Sequence, residues 1–190
     1  MTFNSRPTSS VKNLAAQVDI KIMRTLIAGV GNVLRGDDGF GVAVAQKLLE
    51  SNRYGDDVTI METGIAGIPL VQELMNGYDL LIIADTVHRG GLPGTVYVLE
   101  PQVPELEDES GNKLHQSLAD AHYSDPSKVL ILAKALGVLP LKIFLIGCEP
   151  TGYDELGADL SPPVRRAAEV ALEKIDRLVS DAGGQMRDNL

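Results

Sequence analysis

The sequence predicts an α/β fold in which a largely parallel sheet is covered by helices on both faces. Three observations carry this prediction. Short apolar runs of strand length alternate with segments of helical periodicity from Arg24 almost to the end of the chain. Two of those runs, Leu80, Leu81, Ile82, Ile83 and Ile143, Phe144, Leu145, Ile146, are apolar at every position, the pattern of strands buried on both faces. A length of 190 residues with 44% hydrophobic composition is enough to fill one core.

The elements follow in order. "RTLIAGV" reads as a strand that runs into a glycine turn, and "DGFGVAVAQKLLES" as the helix after it. "VTIMET" is a strand rich in β-branched residues, and "IPLVQELMNG" is a helix ending in a turn pair. "DLLIIADT" and "GTVYVLE" are strands, "DPSKVLILAKALG" a helix stopped by Gly137, and "KIFLIGC" a strand. The last helix, "SPPVRRAAEVALEKIDRLVSDAG", opens with Ser161 at an N-cap and Pro162 at the first helical position. Residues 1–20 read as an extension rich in Ser, Thr, Asn and Pro, residues 21–182 as a single domain, and residues 183–190 as a tail. The acidic stretch "PQVPELEDESGNKLHQSLADAHY" lacks periodicity, and a loop of that length in a compact domain is usually functional or disordered.

Charge and cysteine content narrow the function. A net charge of -9 argues against nucleic acid and anionic lipid as partners, since binders of either carry a basic face; cations and basic peptides suit it better. The single cysteine, Cys148, allows neither an internal disulfide nor a thiolate cage, which fits a reducing compartment. No run has the length of a membrane span, and the start of the chain lacks the apolar centre of a secretory signal, so the expectation is a soluble cytoplasmic protein, with a monomer favoured.

The most informative stretch is "LIAGVGNVLRGDDGFGVAVAQKL". Gly29 and Gly31 begin a dinucleotide fingerprint, but Leu34 stands where the third glycine belongs. Asp37 and Asp38 would face a pyrophosphate with like charge. A nucleotide-binding domain is therefore disfavoured. Two readings of the pair stay open: carboxylates in the first turn of a helix, worth roughly 0.3–1 kcal/mol there, or a cation site framed by Gly36, Gly39 and Gly41 at the carboxyl end of a central strand.

A cation site needs further ligands from neighbouring strand ends. Asp85 closes "LLIIAD" where a buried strand becomes a loop, although an aspartate that merely starts a turn is equally common there. Of the three histidines, His88 reads as a solvated loop residue, whereas His115 and His122 share the long acidic loop and spacing does not choose between them. There is no His-Glu-x-x-His motif and no Gly-x-Ser-x-Gly elbow, and Cys148 has no basic partner in sequence and reads as packing.

These residues resemble the hydrogenase maturation endopeptidases, which trim the C-terminal extension of the large subunit of nickel–iron hydrogenases. The resemblance spans residues 24–178, and its most specific part is residues 29–41, "GVGNVLRGDDGFG", with "IIADT" and "GCEP" as later strand-end motifs. It implies an α/β/α sandwich around a five-stranded sheet and a metal-recognition triad of Asp38, Asp85 and His122, with Asp38 and Asp85 as the catalytic candidates. His122 is preferred to His115 because it stands seven residues before Val129 and Leu130, as the family's histidine does; His115 and Gln116 match a His-Gln found at the ligand position in some members. Glu62 and Ile65 depart from the aspartate and threonine frequent at those places. The resemblance further implies that the partner is the large-subunit precursor and that nickel is recognised in that precursor rather than held tightly by the free enzyme. A non-catalytic nickel-binding chaperone or sensor on the same fold is the alternative.

Overall fold

A computed structural model describes residues 23–65, 67–104, 126–152 and 159–183. Its strands are β1 (Thr25–Val30), β2 (Val58–Gly64), β3 (Leu80–Thr86), β4 (Val96–Leu99) and β5 (Lys142–Cys148). Its helices are α1 (Phe40–Ser51), α2 (Gly67–Leu74), α3 (Pro126–Ala135) and α4 (Pro162–Asp181), and a 3-10 turn (Gly36–Gly39) precedes α1. The five strands form one sheet in the order β2-β1-β3-β5-β4. β2, β1, β3 and β5 are mutually parallel, while β4 runs antiparallel to β5 at the edge.

The all-apolar runs are central strands. β1 is buried at every position and β3 at every position but the last, because each presents side chains to both helical layers. On one face Ile27, Ile82 and Ile146 pack under Phe40, Val44 and Leu48 of α1 and Val164, Ala168, Leu172 and Ile175 of α4. On the other face Leu26, Ala28, Leu81 and Ile83 meet Leu70, Val71 and Leu74 of α2 and Val129, Leu130 and Ala133 of α3. Adjacent residues of one strand thus feed opposite cores, and the result is the expected α/β/α sandwich. Burying each large aliphatic side chain is worth roughly 1.5–3 kcal/mol. None of the described helices is long and apolar enough to cross a membrane.

Helix ends follow local chemistry with two deviations. Gly137, at φ +69°, closes α3: its amide donates to Lys134 O at 3.0 Å and that of Val138 to Ala133 O at 3.0 Å, the Schellman pattern expected of a stop glycine. α1 instead ends on Asn52 in the left-handed region at φ 45°. Ser161 is the N-cap of α4 with proline following, as its sequence predicts, but its hydroxyl makes no capping bond. It is directed elsewhere, to Asp37.

Two glycines set how closely α1 approaches the sheet. A Cβ on Gly41 would lie 2.0 Å from Ala84 O and 2.3 Å from Val30 O, and one on Gly29 would lie 2.3 Å from Gly41 O. The first turn of α1 therefore rests directly on the backbones of β1 and β3. Both carbonyls belong to central strands and cannot withdraw. Gly41→Ala is expected to destabilise the protein by about 3 kcal/mol or more, read as a fall in the denaturant midpoint, whereas Gly152→Ala, which meets nothing within 4 Å, should leave it unchanged.

Candidate active site

Because β1, β2, β3 and β5 are parallel, their carboxyl ends share one edge, the place where open α/β sheets gather functional groups. The β1–α1 loop, the end of β2, the loop after β3 and the turn after β5 all lie there. The loop after β1 is tightly folded on itself. Asn32 N–H donates to Asp38 O at 3.1 Å, Arg35 N–H to Asn32 O at 3.0 Å, Asp38 N–H to Arg35 O at 3.2 Å, and Leu34 N–H to Asn32 Oδ1 at 3.0 Å. Gly31 N–H donates across to Gly64 O at 3.1 Å, just past the bulge that offsets β2 from β1, where the buried Thr63 hydroxyl donates to Gly29 O at 3.1 Å.

This geometry decides against a phosphate cradle. The amides of Gly31 and Asn32 are already bonded within the protein. The space beside Gly31, whose φ is +139°, is filled by the protein's own backbone, since a Cβ there would lie 1.9 Å from Asp38 O. The second glycine admits Asp38, not a pyrophosphate.

The two adjacent aspartates have different roles. Asp37 is 2% exposed and accepts three hydrogen bonds: from Thr151 N–H at 2.8 Å, Ser161 N–H at 2.6 Å and Ser161 Oγ–H at 2.9 Å. A buried carboxylate is tolerable only when its lone pairs are met in this way. Asp37 and Asp38 both lie in the first turn of the 3-10 helix that runs into α1, where negative charge also suits the positive helix end. Asp38 is half-buried, with Oδ1 at 3.5 Å from the Thr86 hydroxyl, a long contact.

Thr86 is the residue after Asp85, so the Asp38 turn and the Asp85 strand end meet. Asp85 is 6% exposed, is paired with Gly147 of β5, and accepts a bond from Thr86 N–H at 2.7 Å. Asp38 and Asp85 thus lie on neighbouring segments of one sheet edge. His115 and His122 lie outside the described residues. Among the described residues no group of three or more His, Cys, Asp or Glu side chains could hold a metal ion. His88 is exposed in the loop after β3, as its sequence context predicts, with Nδ1 3.9 Å from Glu149 Oε1.

A further buried carboxylate, Glu149, follows β5. It accepts from Arg89 N–H at 2.9 Å, Gly90 N–H at 3.2 Å and the Tyr97 hydroxyl at 3.2 Å, and the Arg89 guanidinium lies over the Tyr97 ring. Burial pushes its pKa up, but the amides of Arg89, Gly91 and Gly90 and the Tyr97 hydroxyl outweigh burial and hold the carboxyl below its usual value. Its role was not legible in sequence. "GCEP" marks a strand end, but nothing local marks the amides that would meet its glutamate.

Cys148 is fully buried beside the core, and burial, followed by the charges of Asp37 and Glu149, pushes its thiol up to about 12. It is packing, as the sequence suggests, because a thiol so held supplies no thiolate near neutrality. The folded value lies above the unfolded one, so stability is unaffected below about pH 8.5 and falls as pH rises from there toward 12. Iodoacetamide at pH 8 should leave the native protein unlabelled and modify Cys148 only after denaturation; fast native labelling, followed by mass spectrometry, would contradict the burial.

Comparison with known proteins completes the picture. The family model described as hydrogenase maturation protease matches residues 42–177. The hydrogenase expression/formation protein HupD of Rhizobium leguminosarum bv. viciae is 34% identical over 161 residues, covering 84% of this chain and 76% of that protein. The hydrogenase 2 maturation protease of Escherichia coli K12 is 33% identical over 163 residues, covering 85% of this chain and 93% of that protein. Among solved structures, the hydrogenase maturating endopeptidase HybD from E. coli superposes with a TM-score of 0.67 at 31% identity, covering 86% of this chain and 96% of that one. The hydrogenase 2 maturation peptidase from Thaumarchaeota archaeon SCGC_AB-539-E09 gives 0.62 at 33% identity, covering 83% and 98%.

Proposed function

The chain belongs to the hydrogenase maturation protease family, and from that premise we propose that it is the endopeptidase that removes the C-terminal extension of a nickel–iron hydrogenase large-subunit precursor after nickel insertion. The observation that supports the proposal is that the Asp38 turn reaches the end of the Asp85 strand at the carboxyl edge of the sheet, with Asp38 Oδ1 3.5 Å from the hydroxyl of Thr86, the residue after Asp85. Two carboxylates and an imidazole, which we assign to His122, make a donor set suited to divalent nickel, and a site without thiolates holds such an ion loosely. Nickel belongs to the substrate: the precursor brings it, and the enzyme reads it. The acidic edge favours approach of that cation. Asp38 and Asp85 are the groups able to take a proton from the water that attacks the peptide carbonyl, which makes this a carboxylate-dependent hydrolysis, aspartic-type in that sense. Removal of the extension activates the hydrogenase. An acidic chain with one cysteine suits a cytoplasmic reaction.

The decisive experiment mixes the pure protein with nickel-loaded and nickel-free precursor and weighs the products by mass spectrometry. Only loaded precursor should lose its extension, and the free protein should purify largely without metal. Equal cleavage of both precursors would sink the nickel-reading role, and no cleavage of either would favour a chaperone or sensor.

Asp38→Asn and Asp85→Asn keep side-chain shape while removing charge, so both are expected to abolish processing with little loss of stability. Normal processing by either variant excludes that residue. For the imidazole, His122→Ala should eliminate cleavage and weaken binding of added nickel or cadmium, while His115→Ala leaves both within about threefold; the reverse pattern transfers the assignment to His115.

A further inference from the structure

The short turn after β5 is attached to both loops that carry the metal-meeting carboxylates. Toward the Asp85 side, Val87 N–H donates to Cys148 O at 2.9 Å, Gly94 N–H to Glu149 O at 2.8 Å and Glu149 N–H to Thr95 O at 2.9 Å. The Glu149 side chain binds Arg89 N–H and Gly90 N–H of the same loop. Toward the Asp38 side, Thr151 N–H, two residues on from Glu149, donates to Asp37 Oδ2 at 2.8 Å. Ser161 at the start of α4 holds the other oxygen of Asp37 at 2.6 Å. Asp37 and Glu149 are both buried and both engaged by donors from distant segments, which is a poor state for a ligand and a good one for a fastening.

We propose that Asp37 and Glu149 are positioning residues, which fasten the Asp38 loop and the Asp85 loop to one post, the turn at residues 149–151, and thereby fix the separation of the two carboxylates. The inference rests on the reading of Asp38 and Asp85 given above. The physical need is clear. Two like charges on separate loops repel when no cation lies between them, and loops are the most mobile parts of a fold. A rigid frame carries that repulsion in advance, so that no reorganisation is required when the cation arrives. The fastening groups are themselves carboxylates, yet their donors neutralise their demand for a partner and leave Asp38 and Asp85 to meet the ion.

The test compares wild-type protein, Asp38→Asn, Asp37→Asn and Glu149→Gln in cleavage of nickel-loaded precursor and in cadmium titration of the free protein, all well below each variant's unfolding midpoint. Both positioning variants should lose about 10- to 100-fold in kcat while KM for the precursor stays within about threefold, and cadmium affinity should fall about tenfold. Folded variants with wild-type kcat and cadmium affinity, whatever their melting temperature, would show a purely structural role and overturn the inference. Should either substitution prevent folding, Ser161→Ala and Tyr97→Phe each remove one donor and keep the carboxylate. A severalfold loss of kcat in these supports the inference, and unchanged kcat in both overturns it. Intact precursor after incubation with wild-type protein, or normal cleavage by Asp38→Asn, is a separate signature: the reading of the site has then failed, and the inference falls with it.

Discussion

The close crossing of α1 over β1 and β3 is the constraint on which the site depends. With Gly41 resting against the carbonyls of Val30 and Ala84, and Gly29 beneath Gly41, the helix starts lower on the sheet than any residue with a Cβ would permit. The turn before it, Gly36–Gly39, is thereby brought down to the ends of both central strands. Asp38 reaches the Asp85 strand end through Thr86 for that reason. A helix held a few ångströms higher would leave the two carboxylates on unconnected loops.

The same crossing explains why the glycine turn after the first strand does not form a phosphate cradle here. In a dinucleotide site the loop amides point at the ligand and the second glycine admits it. In this protein the loop amides are closed onto Asp38 O and Gly64 O, and the room made by Gly31 is filled by Asp38 itself. Of its two carboxylates only that of Asp38 is partly exposed, beside the exposed side chains of Val33, Leu34 and Arg35. With Asp37, Asp38, Asp85 and Glu149 near one edge, the potential there is negative, and the interior donors around Asp37 and Glu149 make that density of charge tolerable in a folded chain.

Carboxylates at this edge therefore divide by their donors. Asp37 and Glu149 receive backbone amides from segments far off in sequence, so each ties separate parts of the chain together. Asp38 is half-buried and only loosely contacted by Thr86. The adjacent thiol of Cys148 is removed from chemistry by the opposite means, since burial among carboxylates keeps it protonated.

The sequence by itself determined the layered fold, because the apolar runs of β1, β3 and β5 and the helical periodicity between them are local patterns that admit few packings. It also determined the glycine spacing, the failed fingerprint and the candidacy of Asp38 and Asp85, since a strand end in a parallel sheet has only one edge to face. Tertiary structure alone decided which member of the Asp37–Asp38 pair is interior, that the Ser161 hydroxyl abandons its cap, that β4 joins the sheet antiparallel, and that Glu149 clasps the loop after β3. The donors to Asp37 stand 114 and 124 residues away, and those to Glu149 about sixty. No periodicity or propensity encodes a hydrogen bond over such a distance; it exists only once the strands have brought both partners to the same edge.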